Sequence, residues 1–332
     1  MRDVAALARV SLKTVSRVVN REPGVSPALT ARVERAARQL DFVPDLTASS
    51  LRRADRQSAT IGLLLKNAAN PFSASLYRAV EDVARARGVV AFAGSLDEDA
   101  DRERDLAGLF AARRVDGLIV VPAGKDQSYL QKEQQAGLPI VFVDRPPSFL
   151  DADAILTDNR EGARVGVRHL LRFGHRRVAY LGDLLTITTA RERHDGYLDA
   201  LAGAQLTADP DLVRDDLHTS DEAESAALDL MGGALPPTAI FASQNLVTIG
   251  AIRALRRLHL QHRVALVGFD DFLLADLLEP AVTVVAQDPA TIGRLAAETL
   301  FRRLDGDRSP ASTVIVPTRL IPRGSGEIRP PA

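Results

Sequence analysis

Six stretches of the 332-residue chain place hydrogen-bonding side chains directly beside apolar runs. Asn70 stands before Pro71-Phe72, Asp144-Arg145 follow VFV, Arg191 follows a threonine-rich loop, Gln244-Asn245 follow IFAS, Asp270 follows VGF and Gln287 follows TVVA. Carboxylates, guanidinium groups and amides converging beside an aromatic face suit a polyhydroxylated ligand, because each hydroxyl both donates and accepts. Taken singly, any of these residues could serve a cap or a loop; their recurrence at strand ends points to a site. A second chemistry stands near the start. In SLKTVSRVVN (11–20), Val15, Val18 and Val19 recur at helical spacing and turn Leu12, Lys13, Ser16 and Arg17 outward, so a short helix presents a basic face.

Signatures of catalysis are missing. There is no GxGxxG after a strand, no P-loop and no GxSxG, so no catalytic residue is nominated and the chain reads as a non-enzyme. His259 and His262 stand at i and i+3 of an expected helix without a carboxylate cluster, and read as a solvated pair rather than a metal site. With no cysteine, neither a disulfide nor a thiolate zinc site can form, and no cofactor is implied.

The elements that must position these residues follow from periodicity. TIGLLL (60–65), VVAFAG (89–94), GLIVV (117–121) and PIVFV (139–143) read as buried strands alternating with amphipathic helices, and RVAYLG (177–182), TAIFAS (238–243) and VALVGFD (264–270) repeat the plan. The fold class is α/β: two doubly wound parallel-sheet subdomains whose ligands bind at the carboxyl ends of the strands. Ahead of them, three short helices make a helix-turn-helix unit. Ser11 can cap the second, and Ser26 with Pro27 opens the third. Residues 1–57 hold 11 basic and 6 acidic residues, a formal +5, whereas the remainder holds 31 and 37, a formal −6. A basic head on an acidic body is the footprint of a nucleic-acid-binding module. No signal peptide and no run of eighteen apolar residues is present, so a cytoplasmic location with no membrane partner is expected.

DVAALARVSLKTVSRVVN, VSPALTARVERAARQLDFVPD and ASSLRR together resemble the DNA-binding head and hinge of the LacI/GalR family of bacterial transcription regulators. The body resembles the type I periplasmic sugar-binding fold, so the resemblance covers nearly the whole chain. It implies a helix-turn-helix domain over 1–43, a hinge helix and linker over 44–57, and an effector-binding and dimerisation domain over 58–332. Within that domain it implies one subdomain of 58–145 with 276–304 and another of 146–273 with 308–324, the chain crossing three times. Leu12, Lys13 and Arg17 are implied to meet base edges, Ser11, Thr14, Ser16 and Asn20 to meet phosphates, and Leu51 to wedge between base pairs in the minor groove. The family carries a few more residues ahead of its first helix than stand here.

For the cleft, NPF, VDR, ARER, GFD and AQ sit where ribose-binding-type proteins contact sugar. The resemblance thereby nominates Asn70, Phe72, Asp144, Arg145, Arg191, Gln244, Asp270 and Gln287, with His218 at a position that is often aromatic. Two positions depart from the pattern: Ser73 replaces a common second phenylalanine, and Gln244 replaces a common asparagine. The implied function is that of a sequence-specific repressor, bound as a homodimer to a near-palindromic double-stranded operator and controlled by a sugar-like effector. A purine or other non-sugar effector, or a transport-type solute-binding protein, is the alternative. The C-terminal IPRGSGEIRPPA carries no heptad pattern, which favours a dimer over a tetramer.

Overall fold

The structure, a computed structural model, describes residues 1–19, 24–42 and 58–331. The expectations for Asn20, Leu51 and the linker 44–57 lie outside these residues. In the head, Val4, Ala5 and Ala8 of α1 (Arg2–Ala8) close on Val15 of α2 (Leu12–Val19) and on Val33 and Ala36 of α3 (Pro27–Gln39). Arg9, with φ 48°, makes the left-handed turn that ends α1. Ser11 Oγ then accepts from the Thr14 N–H at 3.1 Å, and Ser26 Oγ accepts from the Leu29 N–H at 3.4 Å, so both expected caps form. Of the expected apolar stripe on α2, Val15 is fully buried while Val18 and Val19 are partly covered.

The body contains two six-stranded sheets. The first holds β1 (Thr60–Leu65), β2 (Val90–Ser95), β3 (Gly117–Val120), β4 (Ile140–Val143), β5 (Asp153–Thr157) and β11 (Thr313–Val316), all parallel, in the order β11-β5-β4-β3-β1-β2. Helices α4 (Pro71–Ala86) and α11 (Pro289–Leu304) cover one face, and α5 (Ala100–Ala112) covers the other beside the short α6 (Gln131–Gln135). The second sheet holds β6 (Val178–Leu181), β7 (Val213–Arg214), β8 (Ala239–Ala242), β9 (Ala265–Phe269), β10 (Thr283–Ala286) and β12 (Arg319–Ile321), with β12 antiparallel to β10. It lies between α7 (Asn159–Arg172) with α8 (Thr188–Gly203) and α9 (Ser220–Gly232) with α10 (Asn245–Arg257). Alternation builds these layers: Ile61, Leu63 and Leu65 of β1 face α4 and α11, while Leu64 faces α5.

Three strands fall in the other sheet from the one expected. β5, placed with the second subdomain by the resemblance, pairs with β4 in register Val141↔Asp153; β10 pairs with β9 in the second sheet; and β11 pairs with β5 in the first. Ladder pairing and side-chain anchoring decide membership. Arg303 of α11 holds Asp153 through Nε to Oδ2 at 2.7 Å and Nη2 to Oδ1 at 3.0 Å, which pins β5 to the first sheet. The crossings therefore fall between β5 and α7, between β10 and α11, and between β11 and β12.

Helix pairs close onto the sheets through glycine. A Cβ on Gly250 of α10 would lie 2.4 Å from the Ser220 carbonyl oxygen and 2.5 Å from the Ala223 Cβ of α9. Gly250→Ala is expected to destabilise the body by about 2 kcal/mol, lowering Tm by several degrees, because the two helix backbones must part. Gly203→Ala, where an added Cβ would meet nothing within 4 Å, is the control and should leave Tm nearly unchanged.

Candidate functional site

Parallel strands bring their carboxyl ends to one edge of each sheet, and the two edges face each other across a cleft. Lys66 follows β1, Asp144 and Arg145 follow β4, Asp183 closely follows β6, Ser243 and Gln244 follow β8, Asp270 follows β9, and Gln287 follows β10. With Asn70, Phe72, Arg193 and Asn245 they line a cavity of about 580 Å3, part of it open to solvent.

Asp144 and Asp270 occupy equivalent places in the two subdomains. Each has positive φ, 67° and 69°, and each donates its backbone N–H to the next strand, to Ile155 O at 3.1 Å and Val285 O at 2.9 Å. Left-handed backbone at a non-glycine residue is strained and persists only where neighbours hold it. Burial raises the Asp144 carboxyl above the ordinary carboxylate range, against the opposing pull of Arg145 and Arg193. Gln287 Nε2 donates to Asp270 Oδ1 at 2.6 Å, and Thr157 Oγ1 donates to Gln287 Oε1 at 2.6 Å.

Arg145 is buried, and both terminal nitrogens donate to Glu98, Nη1 to Oε2 and Nη2 to Oε1, each at 2.6 Å. Burial alone would raise the Glu98 carboxyl; the hydrogen bonds and charge of Arg145, with Lys66 behind them, lower it to about 2. Lys66 Nζ lies 3.0 Å from Glu98 Oε1 and reaches across the cleft to Asp183 Oδ2 at 3.4 Å. Gln244 Nε2 donates to the same Asp183 oxygen at 3.1 Å. A reciprocal amide pair also crosses the cleft: Asn70 Nδ2 donates to Asn245 Oδ1 at 3.3 Å, and Asn245 Nδ2 donates to Asn70 Oδ1 at 3.2 Å.

Seven of the nine expected cleft residues thus come together: Asn70, Phe72, Asp144, Arg145, Gln244, Asp270 and Gln287. Arg191 does not. It lies exposed on α8, whereas Arg193, two residues on, is buried in the cleft. At 100° per residue the two point to nearly opposite sides of the helix, and the ARER motif delivers its second arginine rather than its first. Arg193 Nε donates to Asn159 Oδ1 at 2.8 Å, Nη1 donates to Ser243 O at 2.8 Å, and the guanidinium stacks 3.9 Å above the Phe269 ring. His218 stands outside the cavity lining, exposed, with Nδ1 2.6 Å from Asp183 Oδ1. Ser73 is buried in the lining, so Phe72 is its one aromatic ring among the described residues.

Lys66 and Asp183 were missed although each follows an apolar strand, the same signal that exposed Asp144. Glu98 had no signal, since it arrives from a turn. His259 and His262 fall beyond the end of α10, and His259 has φ 57°, so the expected helical pair does not exist. Among the described residues no group of three or more His, Asp or Glu could hold a metal.

In the head, Leu12 is 48% exposed and Lys13 is exposed, while Thr14, Ser16 and Arg17 are partly buried. Ser11 is exposed at the amino end of α2, its Oγ 2.9 Å from Thr14 Oγ1. An apolar side chain and an ammonium group thus stand side by side at the helix start, where an inserted helix meets base edges.

Two family models match separate parts of the chain. Residues 1–45 match the model for bacterial regulatory proteins of the lacI family, and residues 167–326 match that for a periplasmic binding protein-like domain. The HTH-type transcriptional regulator CelR of Thermobifida fusca is 32% identical over 332 residues, 97% of each chain. The ribose operon repressor of Escherichia coli (strain K12) is 31% identical over 333 residues, 98% of this chain and 99% of that one. Among solved structures, the Lac repressor dimer bound to operator and the anti-inducer ONPF superimposes with a TM-score of 0.85 at 25% identity, covering 98% of both chains.

Proposed function

The chain belongs to the lacI family of DNA-binding bacterial regulators, and from that premise we propose that it is a homodimeric transcriptional repressor whose operator binding is controlled by a sugar in the cleft. The observation that carries the effector assignment is the lining itself. Carboxylates, amides and guanidinium groups of both subdomains line the cavity together with one aromatic ring among the described residues, which suits hydroxyls that donate and accept. A purine would call for flat apolar faces on both sides, and Phe72 supplies one. A transport-type solute-binding protein shares the body but has no use for a base-reading head. The described helices include none long and apolar enough to cross a membrane, and the proposed work is done in the cytoplasm, at the nucleoid when operator is bound.

A ligand that bridges Asp144 and Asp270 favours the closed cleft, reorients the first subdomain and changes how residues 44–57 present Leu51 to the minor groove. The coupling is limited by the ligand's differential affinity for the two states, about 1–3 kcal/mol. The test has two arms: selection of operator duplexes by the intact protein, and a thermal-shift panel of sugars, sugar acids, sugar phosphates and purines. A neutral-sugar hit that also alters affinity for the selected operator supports the reading; a purine hit replaces the effector class.

Lys13 is the residue through which the head is tested. Lys13→Ala is expected to weaken binding to the selected operator about tenfold, while affinity for a scrambled duplex changes little, because a base contact carries sequence information and a phosphate contact does not. Anisotropy titrations of both duplexes at one salt concentration measure this, and equal losses on both would assign Lys13 to the backbone.

A further inference from the structure

Every cation of the cleft is already committed to an internal carboxylate or carbonyl, and the group that commits two of them lies outside the expected site. We propose that Glu98 is a specificity-determining residue: it occupies the Arg145 fork and Lys66, so that the cleft admits an uncharged polyol and turns away sugar acids and sugar phosphates. This rests on the reading of the cleft as the effector site.

The turn that presents Glu98 is purpose-built. Asp97 and Glu98 are consecutive non-glycine residues with φ of 53° and 61°, a strained arrangement. Three bonds hold it: the Asp97 N–H donates to Lys66 O at 2.7 Å, Arg102 Nη1 donates to Asp97 Oδ2 at 2.7 Å, and Asn67 Nδ2 donates to Asp97 Oδ1 at 3.1 Å. The next residue, Asp99, caps α5 by accepting from the Asp101 and Arg102 N–H groups. Glu98 is thereby fixed with both oxygens on the Arg145 guanidinium and one on Lys66.

Two consequences follow for an incoming anion. Arg145 Nη1 also donates to Pro122 O at 2.9 Å, which leaves the second N–H of Nη2 and Nε, the latter buried without a hydrogen-bond acceptor among the described residues and 3.8 Å from Asp144 Oδ2. Those N–H groups serve ligand hydroxyls well, but a phosphate or carboxylate drawn to them meets the Asp144 carboxylate on the same side, and the end-on fork is filled. The charge balance is also adverse. Lys66, Arg145 and Arg193 stand against Asp144, Asp183, Asp270 and Glu98, three cations against four carboxylates, a formal −1. Without Glu98 the same cluster is formally neutral and the fork is open.

Calorimetric titration of the wild-type chain with matched pairs tests the selection: D-ribose with D-ribose 5-phosphate, D-glucose with D-gluconate, and cellobiose with cellobionate. Whichever pair registers, the neutral member is expected to bind at least about tenfold tighter, and an anionic member that bound tighter would overturn the proposal. Inorganic phosphate is the second probe and needs no sugar. In thermal melts at constant ionic strength, phosphate is expected to stabilise Glu98→Gln and Glu98→Ala relative to chloride while leaving the wild type unchanged. A variant that folds yet gains nothing from phosphate would overturn the role given to Glu98. Silence of the whole neutral panel together with a phosphate gain would sink the sugar reading and leave that role standing.

Discussion

Arg193→Ala is expected to abolish the response to effector, with affinity falling at least about a hundredfold and the melting temperature of the body falling as well. Arg193 is 6% exposed and joins three elements: α7 through Asn159 Oδ1, the end of β8 through Ser243 O, and β9 through the Phe269 ring. Its Nη1 also lies 3.8 Å from Asp270 Oδ2. Hydrogen bonds from a charged donor contribute about 1.5–3 kcal/mol each, and their loss leaves two buried acceptors and the Asp270 carboxylate short of a partner. Arg193→Lys should recover only part of the function, since an ammonium group cannot span Asn159 and Ser243 while lying flat on Phe269. Arg191→Ala, on the exposed side of the same helix, should match the wild type. Titration with the sugar found in the panel, beside melts of all three variants, decides the matter: wild-type affinity in Arg193→Ala would remove this residue from the site.

The contrast between these two arginines shows where sequence reasoning stops. Strand ends were legible because apolar runs of four to six residues stop abruptly at a polar side chain, and that rule found Asp144, Gln244, Asp270 and Gln287. Applied evenly, it would also have found Lys66 and Asp183. A helix offers no such stop: choosing between Arg191 and Arg193 needs the helix phase, which the weak amphipathicity of TTARERHDGYLDALAG does not reveal. Sheet membership failed for a related reason. β5, β10 and β11 lie near crossings, and their assignment depends on long-range contacts such as Arg303 with Asp153, whose partners stand 150 residues apart. Glu98 depends on two residues held in left-handed conformations, and neither is a glycine that would announce the turn.

Leu277→Glu is expected to convert the protein to a monomer in solution and to weaken operator binding by about 10²–10⁴-fold while leaving sugar affinity intact. The segment after β9 exposes Leu273 at 82% and Leu277 at 74%, with Leu274 beside them, and the edge strand β2 exposes Val90 and Phe92 at about half of their surface. Clusters of exposed leucine are costly in water and mark a surface that is covered in the working assembly. A two-fold pairing of identical chains covers such a surface on both partners at once. Operator affinity then depends on two linked heads, because the second head binds at an effective concentration set by the first, and that advantage disappears when the chains separate. Leu235, also exposed at 73% but in the loop between α9 and β8, is the control, and Leu235→Glu should stay dimeric and bind operator normally. Sedimentation of both variants, paired with anisotropy titrations on the selected operator, separates assembly from recognition. A Leu277→Glu protein that remained dimeric would move the interface elsewhere. One that became monomeric yet kept full operator affinity would show that a single head suffices, and the two-headed reading of the operator would have to be given up.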